Sequence, residues 1–298
     1  MTEIQVDGSG KDGAMAFWQP GPTTVQVLTD ALGGANMMPL FPKDDRRQWA
    51  LKEIMSDFCS NPTLSLKQRG NPIKISPLEL NVKGVEAVRQ IKGNSRNQHD
   101  FLMSITLDSH DNVRVAEMSS HHFPTLIGNV SKVEALLTRS FQQKMLIMPT
   151  SWVSSCLNRV LGHLNGTPCK DGVWFLPGNY VPFFEDLARK IMAGSDRLVI
   201  TTLKFPLRPT ESSYRMVLES IRREAADVTT AMNEALAELA GSELRSDGIA
   251  TRLRVLSELK TKVKLYEELL GVTMADVHKA VDDSVQAVNT HNVLASCA

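Results

Sequence analysis

The residues best suited to metal binding lie close together in the sequence, but in a context that argues against a metal. They are His99, Asp108, His110, Asp111, His121 and His122. Imidazole nitrogens and carboxylate oxygens are common ligands of zinc and similar ions. However, the middle of this stretch is rich in turn-forming residues, and polar side chains are expected in a hairpin turn without any metal. We therefore predict no metal site.

Residues Gly8, Ser9, Gly10 and Lys11 include the glycine and lysine of a phosphate-binding loop, but not its spacing. Such a loop needs a further glycine five residues before Gly10, where this sequence has glutamine, and a hydroxyl residue after the lysine, where it has aspartate. We interpret residues 1–15 as a disordered arm. The motifs H-E-x-x-H and G-x-S-x-G are also absent from the sequence. We predict no catalytic residue, no cofactor and no enzymatic activity.

The four cysteines, Cys59, Cys156, Cys169 and Cys297, form no C-x-x-C pair and have no histidine at zinc-finger spacing. This pattern indicates free thiols in a reducing compartment. Cys156 lies on the apolar face of a predicted helix. We therefore interpret it as a core residue and not as a nucleophile.

The charges of the chain are balanced, with 33 Lys and Arg against 33 Asp and Glu among 298 residues. A field over the whole chain that would attract nucleic acid or an acidic membrane is therefore excluded, and any such site would have to be a local patch. No stretch approaches 18 continuous apolar residues, and the first residues lack a signal-peptide core. We expect a cytoplasmic protein without membrane contact.

The pattern of apolar residues predicts an α+β fold. The predicted divisions are an arm at 1–15, an N-terminal α+β domain at 16–125, a winged-helix-like domain at 126–206, a helical hairpin plus third helix at 207–290, and a flexible tail at 291–298. In the first domain, Ala50, Leu51, Ile54, Met55 and Phe58 form the buried stripe of a helix. Residues 101–107 and 113–118 flank turn formers and predict a β-hairpin, with 85–91 as a third strand.

Residues 131–143, 150–164, 167–176 and 182–192 predict a helix, a helix, a β-hairpin and a helix in that order. This order resembles a winged-helix unit, in which the second helix enters the major groove of DNA. Winged helices also serve as protein-docking modules, so this pattern leaves two interpretations open. Candidate nucleic-acid contacts are Ser154, Ser155, Asn158, Arg159 and Lys170, with Lys67, Arg69 and Lys74 in a separate basic segment.

The last third of the chain predicts two long antiparallel helices and a shorter third. Apolar residues recur at alternating steps of four and three, which is the heptad pattern of a coiled-coil seam. The seam residues are Tyr214, Leu218, Ile221, Val228, Met232, Leu239, Leu253, Leu256, Val263, Tyr266 and Leu270. The seam is most simply satisfied within the chain, so a partner would use the outer faces or residues 274–288. We interpret Arg222, Arg223 and Glu224 as a solvated face.

Two short sequences carry a family resemblance, GVWFLP at 172–177 and KLYEELLG at 264–271. Over roughly residues 20–272 the chain resembles a family of uncharacterised proteins of about this length from bacteriophages, plasmids and prokaryotic genomes. The resemblance implies a phage-encoded or mobile-element protein made in a prokaryotic cytosol. It supplies no catalytic residue.

These observations favour a non-enzymatic scaffold or assembly protein that acts through a protein partner or through self-association. The alternative is a nucleic-acid-binding accessory protein of phage or plasmid DNA metabolism. A third hypothesis, an enzyme whose site is assembled from distant residues, leaves no local motif to find.

Overall fold

The computed structural model describes residues 12–42, 46–60, 75–79, 84–92, 97–118, 130–170, 172–207, 211–238 and 246–296. The fold is α+β, as the sequence predicts. The chain forms two compact units. The bundle unit comprises Met1–Gly21, Ala31–Leu40 and Thr150–Ala298, and the meander unit comprises Pro22–Asp30 and Phe41–Pro149. No helix in the described ranges is long and apolar enough to cross a membrane.

The strands are β1 (Asp12–Gln19), β2 (Thr23–Thr24), β3 (Ile75–Glu79), β4 (Gly84–Lys92), β5 (Asn97–Leu107), β6 (Val113–Met118), β7 (Ile147–Met148), β8 (Thr167–Lys170), β9 (Val173–Pro177) and β10 (Val199–Pro206). The helices are α1 (Val25–Gly34), α2 (Arg46–Ser60), α3 (Val130–Met145), α4 (Thr150–His163), α5 (Val181–Met192), α6 (Ser212–Glu238), α7 (Ser246–Leu270) and α8 (Ala275–Ser296).

The meander unit contains an antiparallel sheet in the order β3-β4-β5-β6. The predicted hairpin and the predicted third strand are confirmed. The predicted stripe of α2 is also confirmed, since its five residues are buried in one core with Met103, Ile105, Val113 and residues of α3. This unit therefore follows directly from the alternation and helical periodicity of its sequence.

The hairpin turn between β5 and β6 is organised by Asp108. Its carboxylate accepts hydrogen bonds from the backbone N–H groups of His110 and Asn112, each at 2.9 Å. These bonds, with that of Asn112 first, hold the pKa of Asp108 well below its usual range. Arg114 also binds this carboxylate, at 3.0 Å. Asp108 therefore acts as a turn residue. The described residues contain no group of three potential metal ligands.

β6 is an outer strand of its sheet, and side chains of α3 bind its free edge. The N–H of Val113 donates to Thr138 Oγ1, and the N–H of Val115 donates to Glu134 Oε1, each at 2.9 Å. α3 begins at Val130, and Glu134 on its first turns faces the strand.

The sheet of the bundle unit is antiparallel, in the order β10-β1-β9-β8. The predicted disordered arm is wrong for residues 12–15, because they belong to the inner strand β1, where Ala14 and Met15 are buried. Gly13 is required here, since a Cβ at this position would lie 2.1 Å from the ring of Phe175. Residues 1–11, including the glycines of the phosphate-loop-like sequence, lie outside the described ranges.

Helices cover both faces of this sheet. On one face Trp18, Trp174 and Thr202 contact α4 and α5 through hydrogen bonds. On the other face Met15, Cys169 and Phe175 belong to a core shared with α6, α7 and α8. The alternation of side chains along the strands therefore separates two contact surfaces, as the pleat of a β-strand requires.

The predicted helical hairpin is present, and α8 completes it as a three-helix bundle. α8 packs against α6 and α7 more extensively than those two helices pack against each other. Its apolar residues Val277, Val281 and Val288 are buried. Residues 274–288 therefore use their apolar face within the chain. The predicted flexible tail is wrong for residues 291–296, which continue α8.

The predicted winged-helix order of elements is found, but the elements do not share one compact unit. α3 belongs to the meander unit, whereas α4, the β8–β9 hairpin and α5 belong to the bundle unit. The hairpin itself is confirmed, with Gly172 at a φ of 70° in its turn. It forms two of the four strands of a sheet instead of a projecting wing. The predicted boundaries at 125/126 and 206/207 both fall inside the observed units.

The turn between α7 and α8 is closed by Glu267. One carboxylate oxygen accepts the N–H of Met274 at 2.5 Å, just before α8 begins, and the other contacts His278 Nε2 at 2.9 Å. A carboxylate at this place satisfies a free amide and faces the positive end of the helix dipole. His278 and then the Met274 amide lower the pKa of Glu267.

Because the folded pKa of Glu267 is lowered, its charge stabilises the fold above its usual pKa of 4.5, and this contribution is lost as the pH falls through the folded value. We expect Glu267→Gln to lower the free energy of unfolding by about 1 kcal/mol at neutral pH and by much less at about pH 3.5. Urea unfolding at both pH values measures the difference. The exposed neighbour provides the control, since Glu268→Gln should change the free energy of unfolding by less than about 0.5 kcal/mol at neutral pH.

Candidate functional site

Two of the candidate nucleic-acid contacts on α4 are bound to the sheet of their own unit. Ser154 Oγ accepts a hydrogen bond from the Trp18 indole N–H at 3.1 Å. Asn158 Oδ1 accepts one from the Trp174 indole N–H at 2.9 Å. Asn158 is exposed and Ser154 is partly buried, and each also anchors α4 to a tryptophan of β1 or β9.

The other candidate contacts are divided between the surface and the undescribed part of the chain. Ser155, Arg159 and Lys170 are exposed. Arg159 Nε donates to the backbone oxygen of Ser155 at 3.4 Å, so this guanidinium already has a partner on its own helix. Lys67, Arg69 and Lys74 lie outside the described ranges. The structure therefore brings no basic cluster together on the described face of α4.

A buried ion pair lies where the helical bundle meets the sheet. Lys262 Nζ is 2.5 Å from Glu224 Oε1 and 2.5 Å from the backbone oxygen of Gly166. Thr167 donates its hydroxyl to the other oxygen of Glu224. Only 8% of the Lys262 side chain is exposed, and burial lowers the pKa of Lys262 although Glu224 opposes this change.

The same cluster binds backbone oxygens of β8 and of the segment that leads into it. The Tyr266 hydroxyl donates to Asn165 O at 2.9 Å, and Arg223 donates to Pro168 O at 3.3 Å and to Cys169 O at 2.8 Å. A β-bulge interrupts the pairing of β8 with β9 at this point, which allows two successive carbonyls to face the Arg223 guanidinium. Together with Lys262, these side chains bind the outer edge of the sheet.

The interpretation of Arg222, Arg223 and Glu224 as a solvated face is correct for the two arginines, which are exposed. Arg222 faces Asp276 at 3.7 Å, and Arg223 also binds β8. The interpretation is wrong for Glu224, which is partly buried against Lys262 and β8. The sequence weakly indicates that α6 has a second buried face beside the predicted seam. Val217, Ser220 and Glu224 follow one another at helical spacing beside the predicted seam, and Val217 and Ser220 are buried.

Burial holds the thiols of Cys156 and Cys169 and the phenol of Tyr266 in their neutral forms. Burial raises the pKa of Cys156 to about 11 and also raises the pKa of Cys169. Burial raises the pKa of Tyr266 well above its usual value. A thiol must ionise to act as a nucleophile. These groups therefore fit a structural cluster better than a catalytic one.

The predicted seam residues lie mostly inside the bundle. Tyr214, Ile221, Met232, Leu256, Val263, Tyr266 and Leu270 are buried. Leu218, Val228 and Leu253 are partly buried against the same clusters. Leu239 lies outside the described ranges. An open groove of about 680 Å³ remains between α6 and α7, with Val228, Met232 and Val255 in its lining.

A different apolar surface lies on β1 and β10, on the sheet face that also carries Met15 and Phe175. We call it the strand patch and define it as Phe17, Val199 and Leu203. These side chains are 38%, 49% and 61% exposed. β10 is an outer strand, and no described strand pairs with its free edge. Sequence reasoning missed the patch because residues 198–203 have the apolar composition of an ordinary buried strand.

The fold and its contacts define a mixed α+β protein in which helices cover both faces of an antiparallel sheet. The chain belongs to the family of unknown function DUF6744, whose model matches residues 84–294, more than half of the chain. The expected membership of an uncharacterised family is thereby confirmed. The comparison with curated proteins and the comparison with solved structures each give no match.

We expect Lys262→Met to lower the free energy of unfolding by about 3 kcal/mol, because it leaves the Glu224 carboxylate poorly solvated and without its cation. Chemical denaturation measures this loss. The double variant Lys262→Met with Glu224→Met should recover only part of it, because the Gly166 carbonyl and the Thr167 hydroxyl still lose their partners. Lys260→Met is the matched control, since Lys260 pairs with Asp282 at the surface at 2.6 Å and should lose less than about 1 kcal/mol. Equal losses in the two single variants would contradict a structural role for the buried pair.

Proposed function

We propose that this chain is a non-enzymatic structural or assembly protein that acts through protein–protein contacts. The observation that carries the proposal is the strand patch, an apolar surface on an outer strand of the sheet. Contiguous exposed apolar side chains on a folded protein commonly mark a protein–protein contact. The family resemblance in the sequence adds the expectation of a phage-encoded or mobile-element protein.

The use of the chemically reactive side chains supports the same conclusion. Lys262 and Tyr266 donate to backbone oxygens, and Glu224 pairs with Lys262 inside the protein. Cys156 and Cys169 are buried. In the described part of the chain these groups hold elements together, whereas the strand patch remains an exposed apolar surface.

A photoreactive phenylalanine analogue in place of Phe17 tests the proposal in cells that produce the protein. We expect a discrete covalent adduct, because a bound protein would cover this ring, and mass spectrometry would identify what is attached. The same analogue at the exposed Lys170 is the control and should give no discrete adduct. If both positions give none, and light scattering shows a monomer at every concentration, the proposal is wrong.

The alternative of nucleic-acid binding has one supporting feature, the exposure of Arg159 and Lys170 near the second helix of the winged-helix order. Two observations weigh against it. Ser154 and Asn158 are bound to tryptophans, and the net charge of the chain is zero. Affinity for nucleic acid depends mainly on cations placed near phosphates.

We therefore expect fluorescence anisotropy with labelled duplex and single strands to show no binding that weakens steeply with salt. The variant that combines Arg159→Ala and Lys170→Ala should behave as the wild type. Salt-dependent binding that this variant loses would favour the alternative. Salt-dependent binding that the variant keeps would point to the basic segment at 67–74.

A further inference from the structure

The face of α6 and α7 that binds the sheet continues beyond the sheet. Glu224 and Lys262 lie on this face, where they contact Thr167 and the segment before β8. On α6, Val228, Ala231 and Ala235 follow Glu224 at steps of four, three and four, so they lie on the same side of the helix. These three residues line the open groove between α6 and α7. The groove is therefore the part of this face that no described element of the chain covers.

α8 closes the opposite side of the two long helices. Val288 of α8 is buried in one cluster with Met232 and Leu236 of α6 and with Ile249 and Leu256 of α7. Met232 also lines the groove. The groove therefore has a packed apolar floor, while its other side is open to solvent.

The dimensions of the groove fit one α-helix. Its lining on α6 runs from Val228 to Ala235, which is about 10 Å or two helical turns. Facing these residues on α7 are Gly248 and Val255, so the lining is apolar and partly of small residues. An amphipathic helix fills such a groove with apolar side chains three, four and seven residues apart. A helix in this place would complete a four-helix bundle with α6, α7 and α8.

The rim of the groove on α6 is acidic. Asp227 and Glu234 lie four residues before and three residues after the lining residue Ala231, so they flank it on the surface of the helix. Both side chains are exposed. A helix in the groove would therefore meet two carboxylates on its α6 side, and lysine or arginine there would complement them.

The rim of the groove on α7 carries two arginines. Arg252 lines the groove, and its Nη1 donates to Gly248 O at 3.2 Å, which uses one of its five N–H groups. Arg254 is exposed and pairs with Glu258 on the same helix at 3.1 Å. The three side chains together leave this rim with a positive charge. A carboxylate on the α7 side of the bound helix would complement Arg252.

A second copy of the chain fits this groove poorly. The sheet lies on the groove side of α6 and α7, so two copies facing each other with their sheets at the same end would collide. With the sheets at opposite ends, α6 of one copy would lie on α6 of the other. Asp227 and Glu234 of the two copies would then face like charges, which opposes binding.

We infer that the groove binds an amphipathic α-helix of another protein. Its apolar stripe contacts Val228 and Val255, its basic side chains face Asp227 and Glu234, and an acidic side chain faces Arg252. The site lies beyond the strand patch and shares no residue with it. A contact of two to three helical turns is smaller than the usual stable interface of at least about 1,200 Å², so the helix should bind reversibly.

Three labelled peptides test the predicted chemistry of the partner. Each has about 20 residues, which is long enough to form a helix, and carries the same leucine stripe. The mixed peptide has lysine along one flank and glutamate along the other, whereas the lysine peptide and the glutamate peptide carry one charge on both flanks. Fluorescence anisotropy with the full chain should show that the mixed peptide binds at least about tenfold more tightly than the glutamate peptide, which faces Asp227 and Glu234 with like charges.

Two exposed alanines of α6 provide a matched pair of variants. Ala231→Glu places a carboxylate in the middle of the groove, so the dissociation constant of the mixed peptide should rise at least about tenfold. Ala226→Glu makes the same substitution outside the lining and should change this constant by less than about twofold. Circular dichroism shows that both variants fold. Equal effects of the two substitutions would overturn the inference.

A charge reversal tests the role of the acidic rim. The variant that combines Asp227→Lys and Glu234→Lys should bind the glutamate peptide more tightly than the lysine peptide, whereas the wild type should show the opposite order. An unchanged order overturns the predicted partner chemistry. If none of the three peptides binds the wild type, or if light scattering shows a dimer that Ala231→Glu disrupts, the groove does not serve a partner helix of this kind.

The groove and the strand patch can fail their tests independently. An absence of peptide binding removes the helix site but leaves the Phe17 adduct as the test of the proposed function. Conversely, an absence of Phe17 adducts does not affect peptide binding at Ala231.

Discussion

The backbone groups along the outer strands of a β-sheet must find hydrogen-bond partners, and the described structure depends on how it meets this requirement. An outer strand has one row of N–H and C=O groups that no neighbouring strand can bind. At β6 the free N–H groups of Val113 and Val115 are bound by side chains of α3. At β8 the free carbonyls are bound by Arg223, with Lys262 and Tyr266 binding the segment before it. Polar contacts therefore fix the positions of α3, α6 and α7, in addition to the packing of their apolar faces.

The contact at β8 explains why a costly ion pair is kept inside the bundle unit. Burying a lysine and a glutamate requires removing both from water, and apolar packing of the same volume is often at least as stable. Apolar side chains, however, cannot bind the carbonyl of Gly166. Lys262 does so, and Glu224 balances its charge while accepting the Thr167 hydroxyl. The pair thereby fixes the register of α6 and α7 against the sheet.

The sequence could predict those elements whose pattern is local. The stripe of α2, the turn at Gly172 and the seam of α6 and α7 all follow from periodicity or from a positive φ angle. It could not predict contacts made across the chain. β1 contains glycine and alanine, and it becomes a strand only between β9 and β10. Glu224 resembles a surface residue until β8 covers it, and nothing in the local sequence shows that Ser154 and Asn158 accept hydrogen bonds from two tryptophans.

The two outer strands of the bundle-unit sheet are bound by different helices. Side chains of α6 bind carbonyls at the β8 edge, and at the β10 edge the sulfur of Met192 in α5 accepts the N–H of Ile200 at 3.1 Å. The guanidinium at β8 is a charged donor, whereas a thioether sulfur is a weak acceptor. The β8 edge is therefore held more firmly to its helix than the β10 edge.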